Sequence, residues 1–309
     1  MKAKLKAWLA LVIVALAAWA KAYDPYVDGA KAVLNLTVED DRGEYVQDAL
    51  LDVAFQISNI RANVLKGSTD GKGRFRAVGK TIGGVNVWVE KEGYYKTHVR
   101  ISPCDLAAGR VTQGRRWGVG DIAERLVLKK KRSPVRLTYH SVTFKPFPAT
   151  NEVVKLDLES LEWCPPYGNG RHDDLHLVFD GWRNPQDWDD YHEHLKVSFP
   201  NGADGFYPLS ADSTSAFRYA YQAQTNAVYQ KELAFRHVHT VDGIKESKKL
   251  PPDVYFVYRV RTETNAFGQV THAHYGRIGE SFTQYFGLTM KSWFNPTSND
   301  TNLEDARAW

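Results

Sequence analysis

Val38-Glu39-Asp40-Asp41-Arg42-Gly43, Thr69-Asp70-Gly71-Lys72-Gly73-Arg74-Phe75 and Val85-Asn86-Val87-Trp88-Val89-Glu90-Lys91-Glu92-Gly93-Tyr94 are three passages of one stretch, residues 38–95. Each is an apolar alternation that ends in a turn rich in Asp and Gly. In an extended chain successive side chains point to opposite faces, so alternation marks a strand with one buried side. Val85, Val87 and Val89 make one side here; Asn86, Trp88 and Glu90 make the other. The Asp-Gly turns reverse the chain, because Gly accepts positive φ and Asp caps the turn. The stretch predicts a small antiparallel β-sandwich.

Working outward, strands are expected at residues 33–38, 51–57, 74–78, 82–90, 95–101 and 121–128. Residues 103–120 read as irregular, with room for one helical turn at 105–108. Lys129-Lys130-Lys131-Arg132-Ser133-Pro134 is a charged break closed by proline, and it sets a domain boundary: residues 23–130, then 131–309. The run itself reads as a solvated linker. The second half is again strand-rich, at 153–158, 174–179, 194–199, 216–222, 233–240, 253–263, 270–278 and 281–291. Its turns are Asp180-Gly181, Asn201-Gly202, Asp204-Gly205, Asp242-Gly243 and Asn265-Ala266-Phe267-Gly268, and residues 213–233 leave a helix open. Val254, Phe256, Tyr258 and Val260 alternate with Tyr255, Val257, Arg259 and Arg261, and apolar groups on both faces predict a central strand. The expected class is all-β: two β-sandwich domains, the second a larger sandwich or jelly roll.

The 309 residues suit about two domains at roughly 150 residues each. Residues 1–22 read as a signal peptide: Lys2, Lys4 and Lys6 precede an apolar core at 8–18, and Ala20-Lys21-Ala22 is a small-x-small cleavage site. The core is too short for a span of roughly 20 apolar residues. The protein is therefore expected to be exported, periplasmic or extracellular, with no membrane span once the leader is removed. Cleavage after Ala22 removes four lysines and no acid from a chain with net charge +4. The mature protein is neutral, with no electrostatic ground for binding nucleic acid. Export permits a bridge between Cys104 and Cys164, but the two fall in different expected domains, which favours two separate buried thiols.

The quoted stretch resembles the carboxypeptidase regulatory-like domain, a prealbumin-type sandwich; that resemblance implies a fold and no reaction. The second half resembles the C-terminal region of a family of secreted bacterial β-rich proteins. The matching residues are 163–170 (Trp-Cys-Pro-Pro-Tyr-Gly-Asn-Gly), 199–205 (Phe-Pro-Asn-Gly-Ala-Asp-Gly), 275–278 (Tyr-Gly-Arg-Ile) and 294–304, from Phe294-Asn295-Pro296 to Leu303-Glu304. This second resemblance implies no activity and no catalytic residues.

Candidate chemistry falls in two places. His192/His194, His237/His239 and His272/His274 are His-x-His pairs, and His172/His176 is a fourth close pair. Residues i and i+2 share a strand face, so each pair offers two imidazoles to zinc or copper. His192 and His194 oppose the apolar Leu195, Val197 and Phe199. His237 and His239 share parity with Leu233 and Phe235 and should point inward. His237, His239, His272 and His274 are the candidate zinc ligands, with solvated strand faces as the alternative. The other place is the loop at 180–191, where Trp182, Trp188 and Tyr191 accompany Asp187 and Asp190. Flat rings beside carboxylates suit sugars, and the same carboxylates suit calcium.

No Gly-x-Ser-x-Gly elbow, His-Glu-x-x-His helix or Walker loop is present. The expectation is a secreted non-catalytic binding or structural protein whose partner is an extracellular glycan or a cell-envelope component. The alternative is a secreted hydrolase acting on polysaccharide with carboxylates of the second domain as acid and base.

Overall fold

The computed structural model describes residues 23–103, 112–113, 115–118, 121–211, 215–248, 253–279 and 286–307. The leader, Cys104 and the expected turn at 105–108 lie outside the described residues. The chain divides into two compact units, Met1–Lys130 and Lys131–Trp309. Both are built of β-sheets, as the all-β expectation requires. Among the described residues no helix is long and apolar enough to cross a membrane.

Unit 1 opens on a single helical turn, α1 (Pro25–Asp28). It continues through β1 (Ala30–Asp40), β2 (Leu50–Gln56), β3 (Ala62–Ser68), β4 (Arg74–Thr81), β5 (Val85–Glu90) and β6 (Thr97–Ile101), and ends with β7 (Thr112–Gln113), β8 (Arg116–Trp117) and β9 (Ile122–Leu128). One sheet runs β4-β1-β8-β7, with β9 also on β1; the other runs β3-β2-β5-β6. Val85, Val87 and Val89 are fully buried against Leu34, Leu36, Val53, Phe55 and Leu126, which is the alternation read from the sequence. The turn at 70–73 is a fastener. Asp70 accepts from Lys72 N and Arg74 N at 2.9 and 2.8 Å, and those two backbone donors hold its carboxyl below the ordinary range. Gly73 sits at φ +66°, where a Cβ would fall 2.4 Å from Val38 O.

Unit 1 departs from the expectation in several features, among them α1 and the short β7 and β8 within the segment expected to be irregular. β9 lies parallel to β1, pairing Leu34 with Ile122 through Asp40 with Leu128, so the sandwich is mixed. β3 was not expected, because an edge strand exposed along its length carries no alternation.

Unit 2 contains β10 (Thr138–Pro146), β11 (Val153–Asp157), β12 (Glu162–Trp163), β13 (Leu175–Arg183), β14 (Tyr191–Ser198), β15 (Gly205–Ser210), β16 (Glu232–Thr240), β17 (Gly243–Lys248), β18 (Val254–Thr264), β19 (Val270–Gly279) and β20 (Gly287–Phe294). The sheets run β10-β20-β19-β18-β15 and β12-β11-β13-β14-β16-β17. Leu156, Leu177, Leu195 and Val197 of one meet Phe256, Tyr258, Val260, Ile278 and Met290 of the other. Central β18 buries its second face as well: Tyr255 and Val257 join Tyr207, Tyr275 and Leu303 in a separate cluster.

The expected strand at 216–222 is absent. That segment instead supplies Phe217, fully buried, and a backbone N–H from Ala220 to Tyr255 Oη at 2.7 Å. β10, β15 and β17 were not expected. β10 is largely exposed, and β15 carries Pro208, which is tolerated because β15 is an edge strand. The charged run is not a free linker either. Arg132 N and Ser133 N donate to the Glu304 carboxylate at 2.9 and 2.8 Å, and the Arg132 guanidinium lies 3.8 Å from the Tyr221 ring centroid. Cys164 is a free, buried thiol whose Sγ meets His172 O at 3.2 Å.

Candidate functional site

The inner face of the larger sheet of unit 2 changes character along its strands. Register sets the rows. Leu177, Val197 and Leu233 lie side by side, then Phe179, Leu195 and Phe235; both rows are apolar and belong to the core. The next row is Gly181, Glu193 and His237, and the last is Arg183, Tyr191 and His239. Two residues further along each strand therefore replace packing groups with acids, bases and a cation.

The polar rows are organised by hydrogen bonds. Tyr191 Oη and His237 Nε2 are 3.1 Å apart. Glu193, 6% exposed, accepts from the backbone N–H of Phe286. His239 Nδ1 bonds the carbonyl of Asp189. A carbonyl only accepts, so Nδ1 carries a proton, and in the neutral ring the lone pair falls on Nε2. Gly181 leaves no room for a side chain, since a Cβ there would fall 2.3 Å from Phe179 Cζ.

Arg183 and Arg277 are the arginines of this unit whose Nε is buried without a hydrogen-bond partner among the described residues. Arg259 donates to Ala203 O, Arg261 to three carboxylates, Arg277 to Leu303 O and Arg307 to Asp305. The Arg183 guanidinium packs on rings: its Cζ lies 5.0, 5.5 and 4.6 Å from the centroids of Trp188, Tyr191 and Phe286. Its Nε is buried with no hydrogen-bond partner among the described residues. A guanidinium held among π faces keeps N–H donors that an anion can take.

The expected loop is divided between the two faces of the sheet. Tyr191 points inward, and Trp188, 72% exposed, flanks Arg183. Trp182 lies on the outer face, stacked on His192 at 6.2 Å. Asp187 and Asp190 fold the loop: Asp187 accepts from Asp189 N at 3.0 Å, and Asp190 from Asn184 Nδ2 at 3.1 Å. They are turn residues rather than a ligand-facing pair.

The four candidate metal ligands do not converge. His237 and His239 belong to β16, His272 and His274 to β19 of the opposite sheet. His272 Nδ1 bonds Ser298 Oγ at 2.8 Å and His274 Nδ1 bonds Asn295 O at 3.1 Å. Burial holds His274 below the usual imidazole range. Among the described residues no group of three or more His, Cys, Asp or Glu side chains is placed to hold a metal ion. Arg183 was missed in the sequence, yet parity finds it: it shares a side with Leu177 and Phe179, as Glu193 does with Leu195 and Val197.

A second polar cluster is a structural fastener. Arg261 bonds Asp174 through Nε and Nη2, both at 3.0 Å, Glu159 at 2.8 Å and Asp157 at 3.2 Å. Asp174 is 2% exposed, and burial raises its pKa despite that cation. Asp204 caps the chain behind it, accepting from Arg261 N and Thr262 N at 3.1 and 3.0 Å. Both oxygens of Asp157, Asp174 and Asp204 accept from donors of the fold.

No protein-family model and no curated protein matches the chain. Solved structures similar to it in part include 3-chlorocatechol 1,2-dioxygenase from Rhodococcus opacus, at 16% identity and TM-score 0.26, covering 33% of this chain and 61% of that one. Catechol 1,2-dioxygenase from Acinetobacter radioresistens matches at 12% identity and TM-score 0.27, covering 36% and 55%. A dioxygenase domain from a Streptomyces carbohydrate-binding fusion matches at 13% identity and TM-score 0.26, covering 35% and 85%. The chain thus spans less than two thirds of the length of the first two. These neighbours are enzymes, and the expectation of a non-catalytic binding or structural protein is corrected on that finding. Likeness this low carries no argument for their reaction here. Of the carboxylates open to a polysaccharide hydrolase, Asp187 and Asp190 are engaged in folding the loop.

Proposed function

We propose that the chain is an exported enzyme whose substrate is an acidic glycan, bound at the polar end of the inner sheet face of unit 2. In this reading residues 1–22 direct export, and unit 1 is a carboxypeptidase regulatory-like scaffold. The observation that carries it is Arg183: a caged cation whose Nε has no acceptor, next to the exposed ring of Trp188. A ring stacks a sugar face and a guanidinium takes a carboxylate in two parallel bonds, so the pair selects a sugar that bears a charge. Tyr191, His237 and His239 beside them supply groups able to move protons.

The test is calorimetric titration of the full mature chain with acidic and neutral oligosaccharides of equal length. Acidic chains are expected to bind and neutral ones not, and Arg183→Gln is expected to abolish the difference. Equal binding of both kinds, or unchanged binding by Arg183→Gln, refutes the reading.

A further inference from the structure

We infer that the reaction at this site is β-elimination on a uronate-containing polysaccharide, a step that rests on the acidic-glycan reading above. Cleaving a glycosidic bond by hydrolysis takes two carboxylates flanking it, one as acid and one as base or nucleophile. The two polar rows hold one, Glu193, and it accepts from the Phe286 backbone. Elimination has other requirements: a cation for the uronate carboxylate, a base for the proton beside it, and an acid for the leaving oxygen. Arg183, His239 and Tyr191 are those three groups, in one cross-strand row.

The roles follow from the atoms. Arg183 pairs with the sugar carboxylate and disperses the charge that forms when the neighbouring carbon loses its proton. His239 Nε2, whose lone pair is fixed by the Nδ1 bond to Asp189 O, takes the C5 proton. The C5–H electrons become the C4=C5 double bond, and the C4–O4 bond breaks with its pair on O4. Tyr191 Oη protonates O4 and is recharged through His237 Nε2, 3.1 Å away. Water is not consumed. One fragment ends in an alkene conjugated to its carboxylate, the other in a hydroxyl.

The full mature chain is mixed with a panel of polygalacturonate, alginate and hyaluronate, and the ultraviolet absorbance of the conjugated product is followed. Absorbance is expected to rise on at least one polymer. Tyr191→Phe should lower kcat by about 10²–10⁴-fold, the usual worth of a positioned proton donor, with KM little changed. Arg183→Gln should raise KM and lower kcat together. Trp182→Ala, on the outer face, should match the parent. Binding with no absorbance on any polymer overturns the elimination and leaves the acidic-glycan site standing; no binding at all overturns both. Reducing ends formed without absorbance mean hydrolysis, which also overturns it.

Discussion

Arg261→Ala removes the cation from a buried cluster of three carboxylates, and its cost separates a structural fastener from a surface ion pair. The Arg261 side chain is 18% exposed, those of Asp157 and Asp174 4% and 2%, and that of Glu159 38%. Removing one member of a buried pair leaves the other charge desolvated and costs about 3–5 kcal/mol. In a body of roughly 150–250 residues each kcal/mol moves Tm by about 2–4 °C, so a fall of roughly 6–20 °C is expected. Glu159→Gln removes only the exposed arm and should cost less than about 1 kcal/mol. The pH dependence adds a second arm. Burial raises Asp174 even beside Arg261, so the folded state holds its proton to higher pH than the unfolded chain does. Stability from that group is present below the unfolded value of 3.8 and is lost as pH rises through the folded one. Without Arg261 the folded value climbs further, so the deficit of Arg261→Ala should shrink on acidification. Urea denaturation of the parent and both variants at neutral and mildly acidic pH measures this. A loss for Arg261→Ala below about 1 kcal/mol, or one equal to that of Glu159→Gln, refutes the fastener account.

Phe55→Ala should cost about 3–5 kcal/mol in urea denaturation, because Phe55 is 1% exposed in the core of unit 1. Trp88→Ala, 41% exposed on the outer side of the same sheet, should cost about 0.5 kcal/mol or less by the same assay. His274 is half-buried and held below its ordinary 6.5; the unfolded chain takes up its proton first, so stability present above 6.5 falls as pH drops. His274→Gln should flatten the pH dependence of the urea midpoint across that window. Burial pushes the Cys164 thiol up to about 11, so in a Cys104→Ser variant a maleimide should label the chain only once it is unfolded.

Legibility in the sequence followed burial. Strands with one packed side announce themselves: β5 has Val85, Val87 and Val89 fully buried, and β18 buries both faces and reads apolar on both. Edge strands do not, since β3 and β10 pack little and are under no pressure to alternate. The parallel β1–β9 pair was invisible because pairing direction depends on the path between strands, not on either strand's own pattern. At the site, the inward histidines followed from parity with Leu233 and Phe235. The division of the 180–191 loop also lay in parity: Trp182 and Tyr191 sit on opposite sides of paired strands. Grouping them as neighbouring aromatics ignored the period of two. That four histidines fail to meet depends on β16 and β19 lying in different sheets, which spacing within a strand cannot reveal.

The segments that gave the second half its resemblance are places where the fold is tied. Asp204 caps the backbone at Arg261, and Arg277 is buried 4.1 Å from the Tyr219 ring centroid and 4.4 Å from that of Trp293. Burial pushes that guanidinium down to about 10, still charged at neutral pH. Asn295 Nδ2 donates to Asp300 and Asn302, and Glu304 takes the N–H groups of Arg132 and Ser133. Each motif residue is demanding because a buried polar group must meet a partner of fixed geometry. Such demands make a sequence recognisable without making it reactive. Arg183, Tyr191, Glu193, His237 and His239 lie outside those segments, at strand ends where the core stops. There a side chain is released from packing but still held in register, which is why the proposed proton-transfer groups lie at that end and not in the motifs.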